Sequence, residues 1–86
     1  MDELSKLPNI GATVAAQLHQ VGICTEADLR AAGAEGAWLL IQQIDDSACI
    51  HRLLALEGAI QGVKKSLLPE ARKAELKEFY RKHKKS

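Results

Sequence analysis

Residues that interrupt helices recur at short intervals along this chain, and that punctuation constrains its fold more than any other feature. Pro8, Gly22, Gly33, the run Asp45-Asp46-Ser47 and Pro69 are the interruptions. A proline pushes the residue before it out of the helical region, and glycine readily takes the left-handed conformation that closes a helix. Between these points the apolar residues recur every three or four positions. Nowhere do four or more residues alternate apolar and polar with β-branched enrichment, so no strand is predicted. The pattern predicts an all-α protein: one domain over residues 1–86, a compact bundle of five to six short helices joined by tight turns.

The expected elements follow from these stops. Asp2 caps a first short helix carrying Leu4 and Leu7, which Pro8 ends. A second begins at or just after Gly11 with Val14, Ala15, Leu18 and Val21 on one side, and Gly22 closes it so that Ile23 folds back. Thr25 and Asp28 resemble a capping box for a third helix, about Glu26 to Ala32, with Leu29 inward and Gly33 as its stop. A fourth covers about Glu35 to Gln43, with Ala37, Leu40, Ile41 and Ile44 inward and Trp38 at the edge. From Ser47 to Gly62 the stripe Cys49, Leu53, Leu56, Ile60, Val63 marks the central helix. Gly58 and Gly62 stand four apart beside it, and helical glycines are costly enough to suggest another helix crossing at close backbone distance. The last helix opens at Pro69 and Glu70 and runs through Leu76, Phe79 and Tyr80 to a basic end.

Only 3% of the residues are aromatic, so the core has to come from Leu, Ile, Val and Ala. No apolar run is long enough to span a bilayer, and the acidic Met-Asp-Glu start is unlike a signal peptide, which points to a cytoplasmic protein. Cys24 and Cys49 read as free thiols. His19, Cys24, Cys49 and His51 are competent ligand types, but their spacing matches no common metal knuckle, so neither metal nor cofactor is expected. A catalytic carboxylate needs a partner acid or histidine at a defined distance. Glu57, the one charge close to the central stripe, has none by spacing, and pairing with Arg52 or with another helix is the simpler reading. No nucleophile elbow or phosphate-cradling glycine loop with lysine occurs. The chain is read as non-enzymatic, with no small-molecule substrate.

Charge is unevenly distributed. Up to Ile60 three cations oppose eight acids, and beyond it nine cations oppose three. Arg81, Lys82, Lys84 and Lys85 form a basic tail over residues 81–86 that either contacts nucleic acid or simply complements the helix dipole, with Glu78 able to pair with Lys82.

The stretch LPNIGATVAAQLHQVGI looks like a helix-hairpin-helix. Asn9 and Gly11 can take the left-handed conformation that such a turn needs, and the amides of Gly11, Ala12 and Thr13 then leave a helix N-terminus as a ready anion site. The other reading of the turn is a structural corner, since Asn9 replaces the usual first glycine and no lysine stands at Ala12 or Thr13. Together with TEADLRAAGAEGAWL, CIHRLLALEGAIQGV and LPEARKAELKEFY, the stretch resembles the C-terminal domain of the TfoX/Sxy regulators of DNA transformation competence, from about Leu4 to Tyr80. The resemblance implies an all-helical, non-enzymatic domain of bacterial proteins that control competence genes. Larger members carry an N-terminal domain ahead of this one, for which 86 residues leave no room. Two functions follow as expectations. One is a regulatory domain binding nucleic acid weakly and without sequence preference, mainly through the basic tail because the acidic part around the turn repels a duplex, with the turn Asn9, Gly11, Ala12, Thr13 as a helper. The other is a module that docks a protein partner or a second copy of itself and binds no nucleic acid.

Overall fold

The computed structural model describes residues 3–84. Among them are four α-helices, α1 (Ala12–Gln20), α2 (Glu26–Ile44), α3 (Ile50–Gln61) and α4 (Glu70–His83), with 3-10 turns at Leu4–Lys6 and Lys65–Leu67 and no strand. The all-α expectation holds, but the count of five to six helices does not. The first expected helix is a single 3-10 turn, its proposed cap Asp2 lying outside the described residues, and the two helices expected on either side of Gly33 lie end to end within α2, meeting at a kink there. Gly33 is a break in conformation, with φ 75° and ψ 164°. That region is open essentially to glycine alone, so the helical path is broken at Gly33.

The local signals act largely as expected. Thr25 Oγ1 accepts the Asp28 amide at 3.1 Å, while the Asp28 carboxylate reaches back to the amide of Cys24 rather than of Thr25. At the end of α1 the Ile23 amide donates to Leu18 O at 2.8 Å, which folds Ile23 into the core at 4% exposure. The same closure ends α3, where Val63 N donates to Gly58 O.

The helices share one core in which α2 packs chiefly on α3, α4 lies across α3 and touches α2, and α1 covers α2. Leu4, Leu18, Leu29, Trp38, Ile41, Leu53, Leu56 and Leu76 are its fully buried large side chains. Burying each stabilises by roughly 1.5–3 kcal/mol relative to exposure. Trp38, expected at an edge, is at the centre. Its Nε1 donates to Cys49 O at 3.2 Å, and Phe79 and Tyr80 of α4 meet it edge-on with centroids 6.1 and 5.6 Å away. All three aromatic residues of the chain are thus in one cluster, and this rotates α2 from the orientation its sequence predicts. Ala34, Ala37, Trp38, Ile41 and Gln42 point inward, which leaves Leu40 and Ile44, expected inside, 42% and 47% exposed. Asp45 fastens the corner where three helices meet, accepting from Gln17 of α1 at 2.8 Å, from Arg52 of α3 at 2.9 Å and from the Ser47 amide at 2.9 Å. The Ser47, Arg52 and Gln17 hydrogen bonds hold the Asp45 carboxyl far below the usual carboxylate range.

Candidate nucleic-acid interface

The Pro8–Gly11 turn is built around Asn9, the non-glycine residue of positive φ (69°) among the described residues. Asparagine tolerates this conformation because its short polar side chain can hydrogen-bond locally. Here it bonds across the molecule instead. Nδ2 donates to Val63 O at 3.0 Å, and Oδ1 accepts from Lys65 N at 3.1 Å. One side-chain amide therefore satisfies both polarities of the backbone that follows α3, and the LPNIG and EGAIQG stretches touch. Gly58 lies under this contact. A methyl group there would collide with Asn9 Nδ2 and stand 2.7 Å from Val63 O. The close approach expected at Gly58 is real, but a turn makes it rather than a crossing helix. Gly62 has no such neighbour and sits outside α3, as its left-handed cap.

Gly11 departs from expectation. It is the N-cap of α1 with φ −91° and ψ −177°, extended backbone that any residue can adopt. Asn9 alone supplies the left-handed residue. A Cβ at Gly11 would meet nothing within 4 Å, Ala12 and Thr13 are exposed, and no side chain caps α1. The first amides of a helix have no partner within it, so this end faces outward with its donors and the positive pole of the helix dipole.

The charge around this end differs from what the linear sequence implies. Although the turn belongs to the acidic part of the chain, the Asn9 bonds bring the segment carrying exposed Lys64 and half-buried Lys65 directly against it, and exposed Lys6 precedes it by three residues. Sequence reasoning missed Lys64 and Lys65 as neighbours of the turn. An asparagine at a left-handed position, with both side-chain polarities to satisfy, was the only signal that something distant packs there.

The basic tail is a second, separate feature. Arg81 pairs with Glu78, Lys82 Nζ lies 4.0 Å from the same carboxylate, and Lys84 Nζ sits 5.9 Å from the centre of the Tyr80 ring. The Arg81 hydrogen bond holds the Glu78 carboxyl below its ordinary value. Arg81 and Lys82 thus share one acid. Lys85 lies outside the described residues. Arg81 and Lys82 lie in the last turn of α4, a helix about 20 Å long that begins after the Lys64–Lys65 segment.

Glu57 is partnered by Arg72 of α4 at 3.0 Å, the pairing from another helix that was one of its two expected partners, and by Gln61, while Arg52, the other, goes to Asp45. Burial pushes the Glu57 carboxyl up, but the Arg72 and Gln61 hydrogen bonds outweigh it, and the net shift is downward. Arg72 also binds Glu35 at 2.8 Å and Glu75 at 3.2 Å, and Glu57 and Glu35 hold its guanidinium yet more firmly protonated. Glu35, Arg72 and Glu75, with Glu78, Phe79 and Lys82, line an open groove of about 510 Å³ between α2 and α4. An ionised carboxylate tied to an arginine is poorly placed as a general acid or base. Cys24 is exposed, Cys49 is the N-cap of α3, and no three His, Cys, Asp or Glu residues are grouped to hold a metal ion among the described residues. None of the described helices is long and apolar enough to cross a membrane.

The family profile of the TfoX C-terminal domain matches residues 1–80. Protein Sxy of Escherichia coli (strain K12) is 38% identical over 78 residues, which span 91% of this chain and 37% of Sxy. The chain thus matches little more than a third of that relative. Two solved structures from Listeria monocytogenes are similar throughout. The triclinic form of an uncharacterized protein superposes with a TM-score of 0.91 at 42% identity, covering 96% of this chain and 98% of that one. The tetragonal form of a protein of unknown function gives 0.88 at 44% identity, covering 91% and 96%.

Proposed function

The chain belongs to the TfoX C-terminal domain family, the domain of Sxy-like competence regulators, and on that premise we propose that it is a non-enzymatic regulatory domain that contacts the phosphate backbone of nucleic acid. The contact is made at the turn Asn9, Gly11, Ala12, Thr13, with Lys64 and Lys65 alongside, and secondarily by the tail residues Arg81, Lys82, Lys84 and Lys85. One observation carries the reading: the Asn9 side chain ties the lysine-bearing segment to the uncapped end of α1, so outward-facing amides and positive charge meet at one corner. Amides at a helix start suit an anion, and lysine adds a point charge without demanding a fixed geometry. Positive charge and amides read no base edges, so binding is weak and indifferent to sequence.

Titration of labelled duplex at several salt concentrations tests this. Each phosphate contact contributes about 0.9 to the slope of log affinity against log salt. Replacing Lys64 and Lys65 by glutamine is expected to flatten the slope by up to about 1.8, and replacing Arg81, Lys82 and Lys84 by less than the 2.7 of three free charges, because Glu78 already partners two of them. Slopes unchanged in both variants, or no binding at low salt, would refute the proposal.

A second reading rests on a different observation. Leu40 and Ile44, one helical turn apart, leave an apolar strip on the outside of α2. An interaction module without nucleic-acid binding uses such a strip to dock a protein partner or a second copy. Sedimentation across a concentration range, with Leu40→Ser and Ile44→Ser as controls, distinguishes a self-associating chain from a monomer.

A further inference from the structure

α4 is fastened unlike the other helices. It buries Leu76 alone of its fourteen residues, whereas α3 buries six of twelve. Phe79 and Tyr80 are half-buried and reach Trp38 edge-on. Its other attachments are polar: Arg72 to Glu57 and Glu35, Lys73 Nζ to Ser66 O at 3.2 Å, and the His83 carbonyl, which accepts from Gln42 Nε2 at 2.9 Å. Such bonds resist opening weakly, because the ions and amides regain water when they part, and this repays much of the lost attraction.

The chain is also anchored up to the point where α4 begins. Asn9 pins Val63 and Lys65, and Leu68 is 3% exposed immediately before Pro69. Pro69 itself has φ −57° and ψ 142°, an extended joint outside the helix. Detaching α4 therefore leaves the Asn9 contact, the Asp45 corner and the packing of α1 and α2 in place.

We infer that α4 opens as a unit about the Leu68–Pro69 joint while α1, α2 and α3 stay folded, and that the open form uncovers Trp38. The helix is a strap over the one indole of the chain, a side chain with no exposure when the strap is closed. Regions that open below the global unfolding transition are those with few buried apolar contacts, and α4 is the helix of this chain that fits that description.

Native-state hydrogen exchange on the full chain in low urea tests the inference. The amides of residues 73–83 are expected to share one opening, with protection at least tenfold below that of residues 53–59 and a shallower dependence on urea. In Leu18→Ala, which creates a cavity under α1, a helix packed on α2 and the Leu4–Lys6 turn, the protection of residues 53–59 falls about thirtyfold, the equivalent of about 2 kcal/mol, while that of α4 is unchanged. Equal protection and equal urea dependence in the two helices overturn the inference, as does an α4 that loses protection in step with α3 in the variant. Should Leu18→Ala fail to fold, the urea dependences of the unaltered chain decide alone.

Discussion

Replacing Gly58 by alanine tests how the two ends of the fold are joined. In an open helix this substitution stabilises by about 1 kcal/mol. Here the added methyl group meets the Asn9 amide, Val63 O at 2.7 Å and Lys65 N at 3.2 Å. Two of these three atoms are backbone, and the third belongs to a side chain held by two hydrogen bonds, so none moves away cheaply. Overpacking of this kind costs about 1–3 kcal/mol. Displacing Asn9 loses two hydrogen bonds at about 1 kcal/mol each. Set against the gain in helix propensity, the net loss comes to about 3 kcal/mol. For a domain of this size that is a fall in Tm of about 12 to 24 °C, readable by circular dichroism or calorimetry. A double-mutant cycle sharpens the test. Asn9→Gly keeps the left-handed backbone and removes the amide, so Gly58→Ala in that background costs at least about 1 kcal/mol less, the remainder coming from Val63 O. An unchanged or raised Tm for Gly58→Ala, or the same cost in both backgrounds, would refute this account of the corner.

Other substitutions separate local from tertiary constraint. Gly33→Ala forces a side chain into a backbone region open essentially to glycine and should cost about 1–3 kcal/mol in urea unfolding. Gly36→Ala, three residues on, meets only the Ala32 methyl at 3.8 Å and should raise stability by up to about 1 kcal/mol. Acid unfolding reports on Asp45. Because its folded pKa is depressed, its contribution is complete above its ordinary value near 3.8 and is lost as the pH falls below it. The urea midpoint of the unaltered chain should therefore drop more steeply below about pH 4 than that of Asp45→Asn, and parallel curves would contradict the Asp45 corner.

How much of this was legible depended on the range of the forces involved. The helix ends at Gly22, Gly33 and Pro69 answer to backbone sterics within one or two residues, and the sequence alone determined them. The same holds for the absence of strand periodicity and for the inward positions Leu18, Leu29, Leu53, Leu56 and Leu76, since three- and four-residue spacing is a property of the chain itself. The face of α2 was not legible. Leu40 and Ile44 carry as much apolar surface as Ile41, and it is Phe79 and Tyr80, some forty residues away, that draw Trp38 inward and turn the other two out. Of the candidate interface, the turn could be read because an asparagine at a left-handed position announces itself, but not its surroundings. Net charge counted along the chain made the turn acidic. The fold instead seats Lys64 and Lys65 beside it, through two hydrogen bonds spanning more than fifty residues. Local sterics are written in each residue and its neighbours, while electrostatic and packing neighbours are written only in the closed chain, because Coulomb and contact forces act through space and disregard sequence separation.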